Sequence, residues 1–220
     1  APILLIVLTL LVVPIAVSAF LSLTSFDLTR PEVGIEFVGL SNFAELLGRS
    51  DFRDSLMRTL YFSGVSTFGG LVLALGFALV LSRPFVGSRI VRAVIIVPWA
   101  VPAVINGVMW RFIYSWQFGG LNGALYSLGI IDQYVAWLAE PLRALNLVIL
   151  AYVWKRLPFL VIVLMAALTS IPDQLFDAAK IDGANPFQVF LHVTLPLLQP
   201  TMVVLLILCT AWSMRSFDLI

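Results

Sequence analysis

The stretch that decides the fold is Leu145-Asn-Leu-Val-Ile-Leu-Ala-Tyr-Val-Trp-Lys-Arg-Leu-Pro-Phe-Leu-Val-Ile-Val-Leu-Met-Ala-Ala-Leu168. Its only charged residues are the adjacent Lys155 and Arg156. A helix needs about 20 mostly apolar residues to cross a hydrocarbon layer about 30 Å thick, and this run is long enough. It is too long for a barrel strand and does not alternate in and out. Four other runs read the same way: Pro2 to Leu23, Leu60 to Leu81, Ile90 to Tyr114, and Leu197 to Met214. Each holds glycine, proline or serine, which membrane helices tolerate better than soluble ones. The expected fold is all-α, a polytopic membrane helical bundle with five spans inside a single domain, residues 1–220.

Composition supports that reading. Of 220 residues, 61% are hydrophobic and 11% charged, with a mean hydropathy of +1.05. A soluble domain carries about 25% charged residues, so the surplus apolar surface calls for lipid as its solvent. The net charge of +1 offers no polybasic face for nucleic acid. Cys209 and His192 are each the only residue of their type, which excludes an internal disulfide and a Cys/His metal cluster. Cys209 reads as a small buried hydrophobe. The apolar segment beginning at Ala1 has no basic n-region and no small-residue cleavage site, so it does not read as a signal peptide. Lys155 and Lys180 are the only lysines, and neither follows a glycine-rich phosphate loop. No nucleophile elbow is present either. The chain does not read as an enzyme, and no cofactor of its own is expected.

The loops differ in character. The first, about 24–58, is polar. It carries Asp27, Glu32, Glu36, Glu45, Asp51 and Asp54 against Arg30, Arg49, Arg53 and Arg58, and Ser41 to Leu47 predicts a short surface helix. The second, Ser82 to Ser88, is flanked by Arg83, Arg89 and Arg92; this compact cluster favours a cytoplasmic side, although basic residues in total do not decide orientation. The third, Ser115 to Arg143, holds Trp116, Gly119, Gly120, Asn122, Trp137 and Glu140, and its aromatics suit a membrane interface.

The fourth loop, about 170–196, predicts two short helices with a turn between them. Pro172 suits a first helical turn, and Asp173 favours the positive end of the helix dipole. Gly183 can adopt the left-handed conformation that ends a helix. Asn185 is a good N-cap, with Pro186 next and Gln188 three residues on. Phe187, Phe190, Leu191 and Leu195 fall on one face, and Pro196 is expected to break the helix before the fifth span. Ala178 and Ala179 make a small surface that another protein could approach closely, and Asp177 and Asp182 beside it suit an arginine partner. The residues alone leave two readings open, a docking elbow or an amphipathic loop packed on its own bundle. His192 reads as facing headgroups or a partner rather than as an acid-base catalyst.

Asp177-Ala178-Ala179, Asp182-Gly183-Ala184 and Leu195-Pro196 closely resemble the EAA motif of binding-protein-dependent ABC importer permeases. Asp177 stands where that family usually has glutamate, keeping the charge but reaching one methylene less far. Phe37-Val-Gly-Leu-Ser-Asn-Phe43 resembles a stretch of maltose-type sugar permeases of the MalF type. So do Trp110-Arg111, Gly120-Leu-Asn122, Trp154-Lys155 with Pro158-Phe159, and Ala167-Leu-Thr-Ser-Ile-Pro172. The resemblance implies the type I importer permease core and a function, ATP-driven uptake of a sugar. It implies a second, MalG-like permease, two ABC ATPase subunits that bind ATP and Mg, and an extracytoplasmic sugar-binding protein. It also implies that the fourth loop is cytoplasmic and supplies the ATPase-coupling residues Asp177, Ala178, Ala179, Asp182, Gly183, Ala184 and Pro196. The first loop would then be periplasmic, the chain would be multi-pass in a bacterial or archaeal cytoplasmic membrane, and a sixth span would follow Ile220.

Charges at membrane depth point to a second site. Arg111, Lys155 and Arg156 fall within spans, where a charge costs about 2.5 to 3.5 kcal/mol on insertion scales. With Asn106, Trp110 and Trp154 they are candidates for the substrate path, because aromatic faces and planar hydrogen bonders suit a sugar. Contacts between subunits, or arginine reaching toward the interface, are the structural alternatives. Two rival functions stay open: an ABC permease for glycerol phosphate or another polar solute, and an ion-coupled secondary transporter.

Overall fold

The computed structural model describes residues 2–27, 29, 34–83 and 85–216. Arg30 and Glu32 of the first loop, and the segment 217–220, lie outside the described residues. By spatial contact the chain divides into two compact units, Ala1–Arg58 and Thr59–Ile220.

The first unit opens with a helix in three pieces: α1 (Pro2–Val7), a π-helical turn (Leu8–Val12) and α2 (Val13–Ser22). From Leu5 to Ser22 it is 18 residues long, and its own unit buries none of it. Its side chains therefore need lipid or a protein partner around them. A return loop is fastened to its end. Val38 and Gly39 donate backbone bonds of 2.8 and 3.1 Å to the Leu23 carbonyl. The Asn42 amide donates to the carbonyls of Ser22 and Thr24, both at 2.9 Å. Gly39 makes the turn at φ +59°. The Phe37 to Phe43 stretch is thus a clip, and the predicted surface helix follows it as α3 (Ser41–Gly48).

Four long elements build the second unit: α4 (Ser50–Leu81, which begins in the first unit), the pair α5 (Ser88–Ala100) and α6 (Ala103–Ile113), α8 (Pro141–Thr169) and α11 (Leu195–Ser213). Their core is made of Leu71, Ala74 and Ala78 from α4, Leu160 and Leu164 from α8, and Leu198 and Leu205 from α11. Ala74 and Ala78 are fully buried one turn apart. Small residues at such positions let membrane helices approach closely, where dispersion rather than water exclusion holds them. Polar pairs add to this: Ser63 and Ser213 hydroxyls lie 2.6 Å apart, and the Tyr61 hydroxyl donates to Asn146 at 2.9 Å. The third loop forms α7 (Gly120–Ser127), pinned by the fully buried Asn122. The Asn122 side chain accepts from Val135 N–H and Trp137 Nε1 and donates to the Val135 carbonyl. A Cβ on Gly119 would fall inside the carbonyl oxygens of Ser115 and Ile113, so that position requires glycine.

Two expectations are corrected. The third span is not one helix from Ile90 to Tyr114. It breaks at Val101 and Pro102, and α5 and α6 meet at 103°. Val101 is extended (ψ 123°), as the ring of a following proline demands, and Pro102 (ψ 149°) caps α6 instead of continuing α5. Pro196, in turn, does not break the fourth-loop helix. From α10 (Pro186–Val189) the chain runs through a second π-helical turn (Phe190–Thr194) into α11, giving a 28-residue helix, Pro186–Ser213. The widened turn lies just ahead of Pro196, as the first one lies just ahead of Pro14. A proline lacks the N–H that would close a normal turn and its ring crowds the carbonyl four residues back, so a local change of pitch accommodates it.

Candidate functional site

The elbow of the fourth loop is built locally. Helix α9 (Asp173–Ile181) has Asp173 in its first turn and Lys180 in its last, both favourable to its dipole. It ends in a Schellman motif: Gly183 N–H bonds to the Lys180 carbonyl at 3.1 Å and Ala184 N–H to the Ala179 carbonyl at 2.9 Å, with Gly183 at φ +76°. Two residues on, a reciprocal capping box starts α10. Gln188 N–H donates to the Asn185 side chain at 2.9 Å, and Asn185 N–H donates to the Gln188 side chain at 2.8 Å. The expected helix, turn and helix are therefore present.

What the elbow displays is unusual for an ordinary loop. Asp177, Ala178, Asp182, Gly183 and Pro196 are exposed, and Ala179 and Ala184 are half-buried. Ile181 is 86% exposed and Phe187 68%. Between the two helices lies an open cleft of about 390 Å³, lined by Ala179, Asp182, Gly183, Ala184, Gln188 and His192. His192 Nδ1 lies 2.9 Å from the Gln188 carbonyl. Asp177 pairs with Lys180 at 2.9 Å, but both side chains are mostly exposed. Such a surface pair is worth about 0 to 1 kcal/mol and is easily exchanged for another partner.

At membrane depth the six residues singled out by sequence divide into three groups. Asn106, Trp110, Trp154 and Lys155 lie along the packing of α6 on α8. The Trp110 ring stands 5.6 Å from Trp154, edge to face, and 5.2 Å from Tyr114. Lys155 Nζ donates to the Val101 carbonyl at 2.7 Å, at the break of the third span. Asn106 is fully buried, and among the described residues neither of its side-chain polar atoms has a protein partner; Trp110 Nε1 is likewise buried without one among them. Arg111 stands apart, exposed on another face of α6. Arg156 looks from α8 toward α11. Its guanidinium carbon lies 4.6 Å from the Tyr152 ring centroid and 4.9 Å from that of Trp212. Phe159 meets Trp212 edge to face at 5.4 Å, and Phe62 meets Tyr152 at 5.1 Å. Sequence reading places none of Tyr152, Phe159 and Trp212 at a site, although Phe159 stands in the Pro158-Phe159 resemblance. The first two share a helix face with Arg156 at spacings of four and three, a usable signal, but Trp212 lies on another helix.

Comparison with known proteins assigns the family. Residues 66–220 match the model of the "Binding-protein-dependent transport system inner membrane component". The trehalose/maltose transport system permease protein MalF of Thermococcus litoralis is 38% identical over the whole chain, which spans 73% of that protein. The trehalose transport system permease protein SugA of Mycobacterium tuberculosis is 32% identical over 93% of the chain, which spans 64% of it. In fold, a crystal structure of a bacterial ABC transporter that imports alginate superposes over 97% of this chain and 71% of its own with a TM-score of 0.78, at 24% identity. These relatives are transport permeases, and the several apolar helices agree with a multi-pass membrane location. With its match over residues 66–220 and its likeness to MalF along the full length, the chain belongs to the family of binding-protein-dependent transport system inner membrane components.

Proposed function

We propose that this chain is the permease subunit of an ATP-driven sugar importer, with the α9–α10 elbow as its coupling element. Residues 1–220 would act as one transmembrane permease domain, with the loop 24–58 on the outer face and the loop 170–196 on the cytoplasmic face. A second permease completes the path, two ABC ATPases bind ATP and Mg below it, and an extracytoplasmic binding protein delivers the sugar. The observation that carries this reading is the elbow. It exposes small, acidic and large apolar residues together, and it continues as one helix from Pro186 to Ser213 into the bundle. A helix without a break transmits a push at one end as a rigid-body displacement of the other. Closure of the ATPases on ATP would move the elbow and, through α10 and α11, the spans. An ion-coupled carrier has no use for such an exposed lever.

Asp177 would pair with an arginine of the ATPase in place of Lys180, and Gly183 and Ala184 would let the ATPase surface approach the turn. Of the membrane residues, Asn106, Trp110, Trp154 and Lys155 would line or support the path near the broken span, and Arg156 the side toward α11. Arg111 would act from another face. The test is uptake by the complete importer carrying Gly183→Asp. A Cβ at Gly183 would meet nothing within 4 Å inside this chain, and the strain of a side chain at φ +76° is confined to the exposed turn that ends α9, so the subunit should still insert. Transport should fall by tenfold or more while basal ATP hydrolysis persists. Normal uptake would refute the coupling role.

A further inference from the structure

We infer that the site between α8 and α11 is built for a saccharide carrying a carboxylate, with Arg156 as the residue that selects it. The inference rests on the proposed importer function and adds the class of its substrate. Arg156 stands near the middle of α8, roughly 20 Å from either end at about 1.5 Å rise per residue. It is half-buried and cannot relieve its charge by reaching the interface. No aspartate or glutamate occurs from Thr59 to Ile131, from Pro141 to Pro172, or from Gly183 to Phe217. Among the described residues the ion pairs are Arg49–Asp51, Arg143–Glu140 and Lys180–Asp177, and no hydrogen bond of Arg156 to a protein acceptor is found. The nearby cation Lys155 is occupied by the Val101 carbonyl.

What does hold Arg156 is aromatic. Tyr152 and Trp212 both lie under 5 Å from its guanidinium carbon. Contacts of this kind stabilise the cation through the ring quadrupole, more strongly as water is excluded. A guanidinium carries its N–H groups along its edge, and among the described residues no hydrogen bond to a protein acceptor engages those of Arg156. That edge matches a carboxylate in a bidentate pair. The rings of Phe159 and Trp212, meeting edge to face at 5.4 Å and each partly exposed, place apolar surface beside the guanidinium that suits the C–H side of a sugar. A neutral sugar would use the rings and leave the charge uncompensated. A phosphate dianion would find one fixed guanidinium where it needs more than one cation.

The test uses the assembled importer, with its partner permease and ATPases but without the binding protein, so that selection by the latter does not enter. Binding is measured by calorimetry for a glucuronate-terminated disaccharide and for its neutral glucose-terminated counterpart. The uronate should bind at least tenfold more tightly, and Arg156→Gln should remove that difference by weakening the uronate alone. Arg156→Lys should recover part of it. Equal binding of both sugars by the unaltered importer, with Arg156→Gln weakening neither selectively, would overturn the inference and leave the sugar-importer reading standing. Binding of neither sugar by the unaltered importer would also overturn the inference, and the importer reading, in which a binding protein delivers the sugar, would still be decided by the uptake test on Gly183→Asp. If Arg156→Gln abolished assembly with the partner permease and a charge introduced on the partner restored it, the arginine would be an inter-subunit contact, and the inference would fail.

Discussion

The bend at Val101 and Pro102 is closed by a side chain 54 positions away, whereas the bend at Gly183 is closed by residues within five positions of it. Both end one helix and begin another where a glycine or proline interrupts the chain. The first sits in an apolar run, where water is scarce and a freed carbonyl must find a protein donor. The Lys155 ammonium on the Val101 carbonyl fills that need, and it explains why a charge is tolerated within a span. The second is exposed, and its orphan groups are met by a Schellman motif and a capping box. Proline alone does not decide the matter. Pro158 lies inside α8 and Pro200 inside α11 without breaking either helix.

Breaking the distant contact should have the largest effect. Lys155→Met leaves the Val101 carbonyl without its charged donor, at a cost of about 2 kcal/mol by the range for hydrogen bonds to charged groups. We expect a lower unfolding temperature in detergent. Spin labels at Val94 and Val108, in a background with Cys209→Ala, should report a broader distance distribution across the bend. An unchanged distribution would mean that Pro102 holds the bend by itself. At the elbow a milder effect is expected. Asn185→Ala should cost about 1 kcal/mol, as loss of an N-cap does, and appear as faster amide exchange confined to α10. Exchange that accelerated in α8 as well would show that the elbow is not locally closed.

The smallest effect belongs to a still more local turn. The Thr29 hydroxyl and then its backbone N–H donate to Asp27 at 2.6 and 2.8 Å, holding that carboxyl below its ordinary 3.8. Because the folded value is depressed, the turn's contribution is present above pH 3.8 and fades as pH falls through the lower folded value. Thr29→Val should move the Asp27 titration back toward 3.8, read by carboxyl NMR, with no change in the bends.

The same contrast in range explains what was legible. Gly183, Asn185 and Gln188 act on their immediate neighbours, so the elbow could be read from their order alone. The Asn42 clip and the Asn122 hub were visible only as resemblance, because their partners lie up to 20 and 15 positions away. Pro196 was expected to stop a helix, and the shift of pitch ahead of it is a backbone adjustment that no side chain announces. Arg111, Lys155 and Arg156 looked alike as intramembrane charges. Packing separates them: one is exposed, one closes a bend, and one lies against two rings.

The order of residues alone specifies a helical membrane protein, the places of its apolar runs, and an exposed elbow that interrupts them. Those features depend on composition and on contacts within a turn or two, which chain order specifies directly. Packing in three dimensions breaks the third run, joins the elbow and the last span in one helix, and sets which charge meets which aromatic. Each of these depends on groups from different helices meeting where water cannot substitute for a missing partner.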